Sequence, residues 1–243
     1  MIIGVIFAGG VGSRMHSKDR PKQFLEVFGK PIIIHTLEHF QKNEMIDAIV
    51  ISCHADYLEH MQSLVDKYHI SKVRRIVKGG KTGQLSIYNG LCAAEDIAGG
   101  EKTIVLIHDG VRPLITSALL SENIRAVQEY GSCITGGIVK ETITTIDDDN
   151  NILQVPSREC SRVAKAPQSF WLEDILQVQR AAIAAGEYNH IDCCTLMSRY
   201  DYKLHMIDGP YENIKITTPE DFFTMRAIFE IKENEQIYLP ESF

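Results

Sequence analysis

The chain has 243 residues, 44% apolar and 23% charged, with 17 glycines and 8 prolines. That is a globular composition and excludes disordered, collagen-like and low-complexity classes. A formal charge of −7, from 25 Lys and Arg against 32 Asp and Glu, argues against a protein that wraps nucleic acid. No stretch approaches the roughly 18 uninterrupted apolar residues of a membrane helix, and the first residues lack the basic start of a secretory signal. The cysteines, 6 in all and without a C-x-x-C pair, read as reduced thiols of a cytoplasmic protein.

The β-branched run Ile2–Phe7 is expected as the first strand. It leads into Phe7-Ala8-Gly9-Gly10-Val11-Gly12-Ser13-Arg14-Met15. Glycines at the carboxyl end of a strand let backbone N–H groups approach a phosphate without Cβ interference. Arg14, Lys18, Arg20, Lys22 and Lys30 face only Asp19 and Glu26 over residues 1–30. A basic segment beside a glycine loop in an acidic chain points to a small anionic substrate. A nicotinamide-binding loop would read G-x-G-x-x-G, but Gly10-x-Gly12 is followed by Met15. The second strand runs into Ser52-Cys53-His54 without the acidic ribose partner, so dinucleotide binding is disfavoured.

Pro31–Gln41 reads as a helix opening on proline, Ala48–Ser52 as a strand, Tyr57–Lys67 as a helix and Val73–Val77 as a strand. Gly79-Gly80-Lys81-Thr82 ends like a P-loop, but that pattern needs glycine where Arg75 stands. What remains is a glycine turn into the helix Ser86–Glu95, suited to contact a base or ribose. After the strand Thr103–Ile107 comes His108-Asp109-Gly110-Val111-Arg112-Pro113. A carboxylate there sits where ligands bind in a doubly wound sheet. Asp109 suits a metal–phosphate unit or a hydroxyl, and Arg112 a second phosphate, the plainer alternative being a structural ion pair. The helix Ser117–Tyr130 and the strand Ser132–Ile138 follow. Continuous apolar strands alternating with helices imply βαβ units in a parallel sheet buried on both faces, an α/β doubly wound fold.

The rhythm then changes. Within Thr142–Pro156 two β-prone pieces flank Asp147–Asn151, a hairpin signal. The pieces are too sparse to pack on a sheet of their own, so the hairpin is expected to project and to need a partner surface. Phe170 and Trp171 read as core, Glu173–Ala185 and Pro219–Lys232 as helices, and Lys203–Ile207 as a strand. Thr218-Pro219-Glu220-Asp221 is a helix start. Lys215 lies just before it in an apolar stretch, where a buried lysine wants an anion. His190, Asp192, Cys193 and Cys194 fit no usual zinc spacing. With no repeat and no linker, one domain is expected over 1–243 with an excursion at about 140–160 and a loose tail at Asn234–Phe243.

AGGVGSRM…PKQFL, HDGVRP, APQSF and ENIKITTPEDF, in this order and spacing, resemble the cytidylyltransferases that act on polyol phosphates, over about residues 2–231. The resemblance implies a Rossmann-like nucleotidyltransferase fold with a projecting β-arm, and an enzyme that joins CTP to a polyol phosphate and releases pyrophosphate with Mg²⁺. On it, Ala8, Gly9, Gly10 and Gly12 hold CTP, Arg14 and Lys22 its phosphates, and Gly80 and Ser86 the cytidine. Asp109 lies near the reacting phosphates and is the candidate metal ligand. Arg112, Thr142, Arg158, Asp192 and Lys215 face the polyol phosphate, Lys215 with a catalytic role beside Arg14 and Lys22. A cytoplasmic homodimer joined through the arm is implied, with neither nucleic acid nor membrane as partner. The chain departs from the family in lacking an arginine near Gly83, which bears on the triphosphate grip. Ala-Gly-Gly in the loop, Ser157-Arg158, and Val111 in place of alanine resemble the ribitol 5-phosphate branch more than the 2-C-methyl-D-erythritol 4-phosphate branch. A non-catalytic nucleotide-binding module is the further alternative.

Overall fold

The computed structural model describes residues 1–10 and 20–233. In chain order these form β1 (Ile2–Ala8), a 3-10 turn at Lys22–Phe24, β2 (Glu26–Val27), β3 (Lys30–Pro31), α1 (Ile32–Lys42), β4 (Ala48–Cys53), α2 (Leu58–Lys67), β5 (Val73–Lys78) and α3 (Gly83–Ala98). Then come β6 (Ile104–Asp109), α4 (Ser117–Tyr130), β7 (Ser132–Ile138), β8 (Thr145–Ile146), β9 (Ile152–Gln154), β10 (Arg162–Trp171), α5 (Leu172–Ala184), α6 (Cys193–Arg199), β11 (Met206–Asp208) and α7 (Pro219–Glu233). Seven strands make one sheet in the order β11-β7-β10-β6-β1-β4-β5, and β2 and β3 pair apart from it. Every neighbour pair in the large sheet is parallel except those of β10, which runs antiparallel to both β6 and β7.

The apolar runs that announced strands are the residues buried on both faces. On one side Ile6, Ile49, Ile51 and Leu106 pack with Ile33 and Phe40 of α1, Met61 of α2 and Leu120 of α4. On the other, Ile3, Val5, Val50 and Val105 pack with Leu91 of α3, Ile175 of α5 and Leu196 of α6. The fold is therefore the expected α/β, doubly wound one. A third cluster joins α7 through Met225 to Val111, Leu114 and Ile216, behind the turn that follows β6. Gly90 in α3 allows close approach to β1, since a Cβ there would meet Val5 Cγ1 at 2.7 Å. Thr82 caps α3 by accepting from Leu85 N–H, and Gly99 ends it with φ +57.

Several boundaries differ from expectation for local reasons. Pro31 is the cap before α1 rather than its first residue, because its ψ of 142 is extended. β5 is not buried on both faces: it is the last strand of the sheet, and Arg74, Arg75 and Lys78 are exposed. The hairpin strands β8 and β9 are shorter than the β-prone stretch. Asp147 accepts from Asp149 N–H and Asn151 N–H, so the Asp/Asn turn takes up residues that would otherwise pair. β11 starts at Met206 rather than Lys203, where the chain first runs beside β7. β10 and α6 have no counterpart in the expected elements. β10 carries Pro167 and a shift of register between Ala164 and Gln168, which break the period of its apolar residues.

Candidate functional site

Chain connections leave β1 toward β4 on one side of the sheet, while β6 lies on its other side, so the carboxyl ends of β1 and β6 flank the point where the winding reverses. Open α/β sheets bind ligands in that crevice. Phe7 and Asp109 are register partners there, which sets the glycine loop beside the His108–Pro113 turn. Ala8, Gly9 and Gly10 are described; Gly12 and Arg14 lie outside the described residues. Gln23 Nε2 donates to Ala8 O at 2.8 Å, and Phe24 is buried against Tyr57 and His60 at 5.3 and 4.8 Å between ring centroids. These contacts hold the Lys22–Phe24 turn at the end of β1 and place Lys22 beside the crevice.

Two glycine turns close on Ser86. Its hydroxyl donates to Thr82 O at 2.9 Å and accepts from Gly80 N–H at 3.0 Å. A Cβ at Gly9 or Gly79 would stand 3.2 or 3.1 Å from the same oxygen, tighter than ordinary contact. Gly80 has no room for a side chain either, because Leu85 Cβ would lie 2.3 Å away. Gly9, Gly80 and Ser86, assigned from the sequence to one nucleotide, are brought together, with Gly79 beside them. Gln84 Nε2 donates to Glu187 O and Gln84 Oε1 accepts from His190 N–H, tying the 187–190 loop to the start of α3.

Asp109 is 4% exposed and holds two cations. Arg112 Nε donates to its Oδ2 at 2.8 Å. Lys215 Nζ lies 2.5 Å from Oδ1 as an ion pair. Burial by itself raises the carboxyl; Lys215 and then Arg112 outweigh it and hold Asp109 down at about 2. It is an anion throughout the neutral range. The expectation of a buried Lys215 is corrected: its side chain is 41% exposed, with its charge turned to Asp109. Arg112 Nη1 donates to Asn213 O at 3.0 Å, Asn213 Nδ2 to Ala166 O at 2.7 Å, and Ile216 N–H to Val111 O at 2.9 Å. HDGVRP, APQSF and ENIKITTPEDF, distant in sequence, thus meet on one wall. Asp109 and Arg112 are at once the structural ion pair and the charged lining of the crevice. His108 is buried, its Nε2 donating to Arg112 O at 3.2 Å in the neutral form; burial lowers it to about 4.

Thr142 and Arg158, at the two feet of the hairpin, meet: Arg158 Nη2 donates to Thr142 Oγ1 at 3.4 Å. Asp192 caps α6 by accepting from Thr195 N–H at 2.8 Å and accepts from Gln168 Nε2 at 3.0 Å. No group of three or more His, Cys, Asp or Glu fit to hold a metal exists among the described residues, Asp192-Cys193-Cys194 included. All 6 cysteines are free. Lys165 and Tyr211 belong to the same wall and were not singled out from sequence. Lys165 Nζ donates to Tyr211 O at 3.2 Å, and Lys140 Nζ lies 4.0 Å from the Tyr211 ring centroid. The available signal was a single lysine in the apolar run Val163–Pro167.

Known proteins share this arrangement across the chain. The family described as IspD, 2-C-methyl-D-erythritol 4-phosphate cytidylyltransferase, matches residues 2–231. A ribitol-5-phosphate cytidylyltransferase of Streptococcus agalactiae serotype III (strain NEM316) is 53% identical over 238 residues, 98% of this chain and 99% of the relative. A 2-C-methyl-D-erythritol 4-phosphate cytidylyltransferase of Clostridium botulinum (strain 657 / Type Ba4) is 37% identical over 226 residues, 93% and 96% of the two chains. Among solved structures, 4-diphosphocytidyl-2C-methyl-D-erythritol synthase from Anaerococcus prevotii superposes with a TM-score of 0.83 at 30% identity, covering 95% of this chain and 96% of that one. With its switch-point crevice, three of its motifs on one wall and a match from residue 2 to residue 231, the chain belongs to the IspD family of cytidylyltransferases.

Proposed function

We propose that the protein joins CTP to D-ribitol 5-phosphate, giving the CDP-polyol and pyrophosphate. The observation that carries the reaction class is the buried Asp109, held between Lys215 and Arg112 and facing the glycine loop across the crevice. The choice of ribitol over methylerythritol rests on the relatives, 53% identical on one side and 37% on the other. The acceptor's phosphate oxygen attacks the α-phosphorus of CTP in line, and the bond to the bridging oxygen of pyrophosphate breaks. A phosphate monoester is already ionised at neutral pH, so the reaction needs no strong general base. What this chain supplies is orientation and charge neutralisation by Arg14, Lys22 and Lys215. Gly80 and Ser86 seat the cytidine, and Arg112, Thr142, Arg158 and Asp192 the polyol phosphate.

The residues fit Mg²⁺. Asp109 is a buried carboxylate whose Oδ1 is held by the partly exposed Lys215 ammonium, a cation that Mg²⁺ would replace, and Mg²⁺ is commonly held by one or two carboxylates together with substrate phosphates and water. Bound there, the ion would neutralise charge on the triphosphate. Six free thiols support a reducing, cytoplasmic setting. The deciding experiment is pyrophosphate release from each of four NTPs with D-ribitol 5-phosphate or 2-C-methyl-D-erythritol 4-phosphate. CTP is expected to exceed UTP, ATP and GTP by about tenfold or more, since polar groups matched to cytosine's amine are left unpaired by uracil. Ribitol 5-phosphate is expected to lead by a similar factor. Equal rates with UTP, or a lead for methylerythritol phosphate, would overturn the substrate assignment; CTP binding without turnover would favour the nucleotide-binding module.

The arm supports a homodimer. Ile146, Ile152, Leu153 and Val155 are 52%, 64%, 63% and 59% exposed, an apolar surface that a two-stranded ribbon cannot bury alone. A symmetric pair of arms would cover both and bring each Arg158 to the other subunit's crevice. Mixing tests this. Lys22→Ala and Arg158→Ala homodimers are each expected to be nearly inactive. After co-unfolding and refolding in equal amounts, about a quarter of wild-type activity should return, because about half the dimers are mixed and each has one intact site. No recovery, or a monomer in light scattering, would rule out the arm acting in trans.

A further inference from the structure

Lys165 is a cation placed next to another cation, in a position the fold has cleared for it. It lies on β10 within the register shift between Ala164 and Gln168, partly buried. Its side chain crosses β7 at Gly137, where a Cβ would stand 2.6 Å from Lys165 Cε and block the path. Gly136-Gly137 leaves that part of the strand bare. The ammonium donates to Pro210 O at 3.4 Å and Tyr211 O at 3.2 Å and sits 5.7 Å from the Tyr211 ring centroid. Among the described residues no carboxylate pairs with it within ion-pair distance; Glu212 attracts it from further off. Partial burial and then the charge of Arg112 both push its proton affinity down. Two carbonyls and an aromatic face 5.7 Å away are modest compensation for partly desolvating a charge beside a guanidinium.

What such an arrangement lacks is an anion. Arg112, Lys165 and Lys215 carry three positive charges on one wall, against Asp109 and the more distant Glu212. A phosphate monoester brings about −1.5 to −2 at neutral pH and would balance the two positive charges that Asp109 leaves over. We propose that Lys165 is an acceptor-binding residue that donates a charge-assisted hydrogen bond to the phosphate of the acceptor. This rests on the reading of the reaction given above and deepens it. The phosphate could in principle belong to the acceptor or to the tail of CTP. Lys165 lies toward Arg112, Tyr211 and the Lys140–Thr142 foot of the arm, on the side of β6 away from the Gly80–Ser86 nucleotide seat. That position favours the acceptor.

The test uses Lys165→Met, which keeps the length of the side chain, with Lys165→Gln as a second variant and Lys165→Arg as the conservative one, each checked by thermal melting. Two readouts are taken. The first is the pair of KM values: for Lys165→Met, KM for D-ribitol 5-phosphate should rise about tenfold or more, as expected for loss of one charged hydrogen bond. KM for CTP should stay within about twofold, and Lys165→Arg should recover part of the loss. The second is calorimetric titration of inorganic phosphate into the intact protein, where Lys165→Met should weaken binding by a similar factor. A parallel rise in KM for CTP would assign Lys165 to the triphosphate and overturn the proposal. Unchanged acceptor KM and unchanged phosphate affinity in folded variants would overturn it too. If wild-type protein turns over no polyol phosphate, the reading of the reaction falls, and the phosphate titration still decides whether Lys165 holds an anion.

Discussion

Asp109→Asn is expected to lower kcat by about 10²- to 10³-fold and to destabilise the fold by about 2–3 kcal/mol. Removing the one carboxylate leaves Arg112, 9% exposed, and Lys215 facing each other across a buried gap. Breaking a fully buried pair typically costs about 3–5 kcal/mol; the smaller figure reflects the 41% exposure of Lys215, which lets water screen its charge. Pyrophosphate release measures the first effect and urea unfolding at neutral pH the second. The sign of the pH dependence follows from the depressed carboxyl. Its stabilisation is complete above the unfolded value near 3.8 and is lost as pH falls through about 2. The gap between wild type and variant should therefore be constant from pH 5 to 8. A gap that closes within that range would mean that the carboxylate is not held by these cations.

Lys22→Ala should lower kcat by about 10²-fold or more with little change in melting, since one preorganised cation at developing charge is worth several kcal/mol. The Lys22–Phe24 turn is fixed by buried Phe24 and by Gln23 donating to Ala8 O. Full activity in a folded Lys22→Ala protein would remove Lys22 from the machinery.

Most of the fold was legible because β1, β4 and β6 are unbroken apolar runs that parallel burial requires. β10 was not. Its single antiparallel course is interrupted by Pro167, and its buried residues at the far end, Gln168 and Ser169, are polar, so neither period nor composition marks it. Their burial is explained only by partners far along the chain, Asp192 for Gln168 and Asn123 for Ser169. The same limit applies to the site. Glycines after a strand and an acid after another announce a crevice from local rules, and these rules place Gly9, Gly80 and Asp109 at its rim, while the role of Ser86 came from the family resemblance. Lys165 and Tyr211 acquire meaning only through the register of β7 with β10 and through the carbonyls of Pro210 and Tyr211, which no local spacing encodes.

The placement of β10 also bears on how freely the arm can vary. Ile138, where β7 ends, and Arg162, where β10 begins, are direct partners in an antiparallel pair. The segment between them leaves the sheet and returns to adjacent positions, so its ends are brought together by the sheet and not by the arm. Chain-closure entropy rises only by about 0.6 kcal/mol for each doubling of a flexible loop. Residues 143–157, between Thr142 and Arg158, can thus be lengthened, shortened or exchanged at small thermodynamic expense while the crevice behind them stays in register. The molecule is in this sense modular: a fixed nucleotide half under the parallel strands, and an interchangeable attachment whose sequence can drift toward new acceptors or new subunit contacts without renegotiating the core.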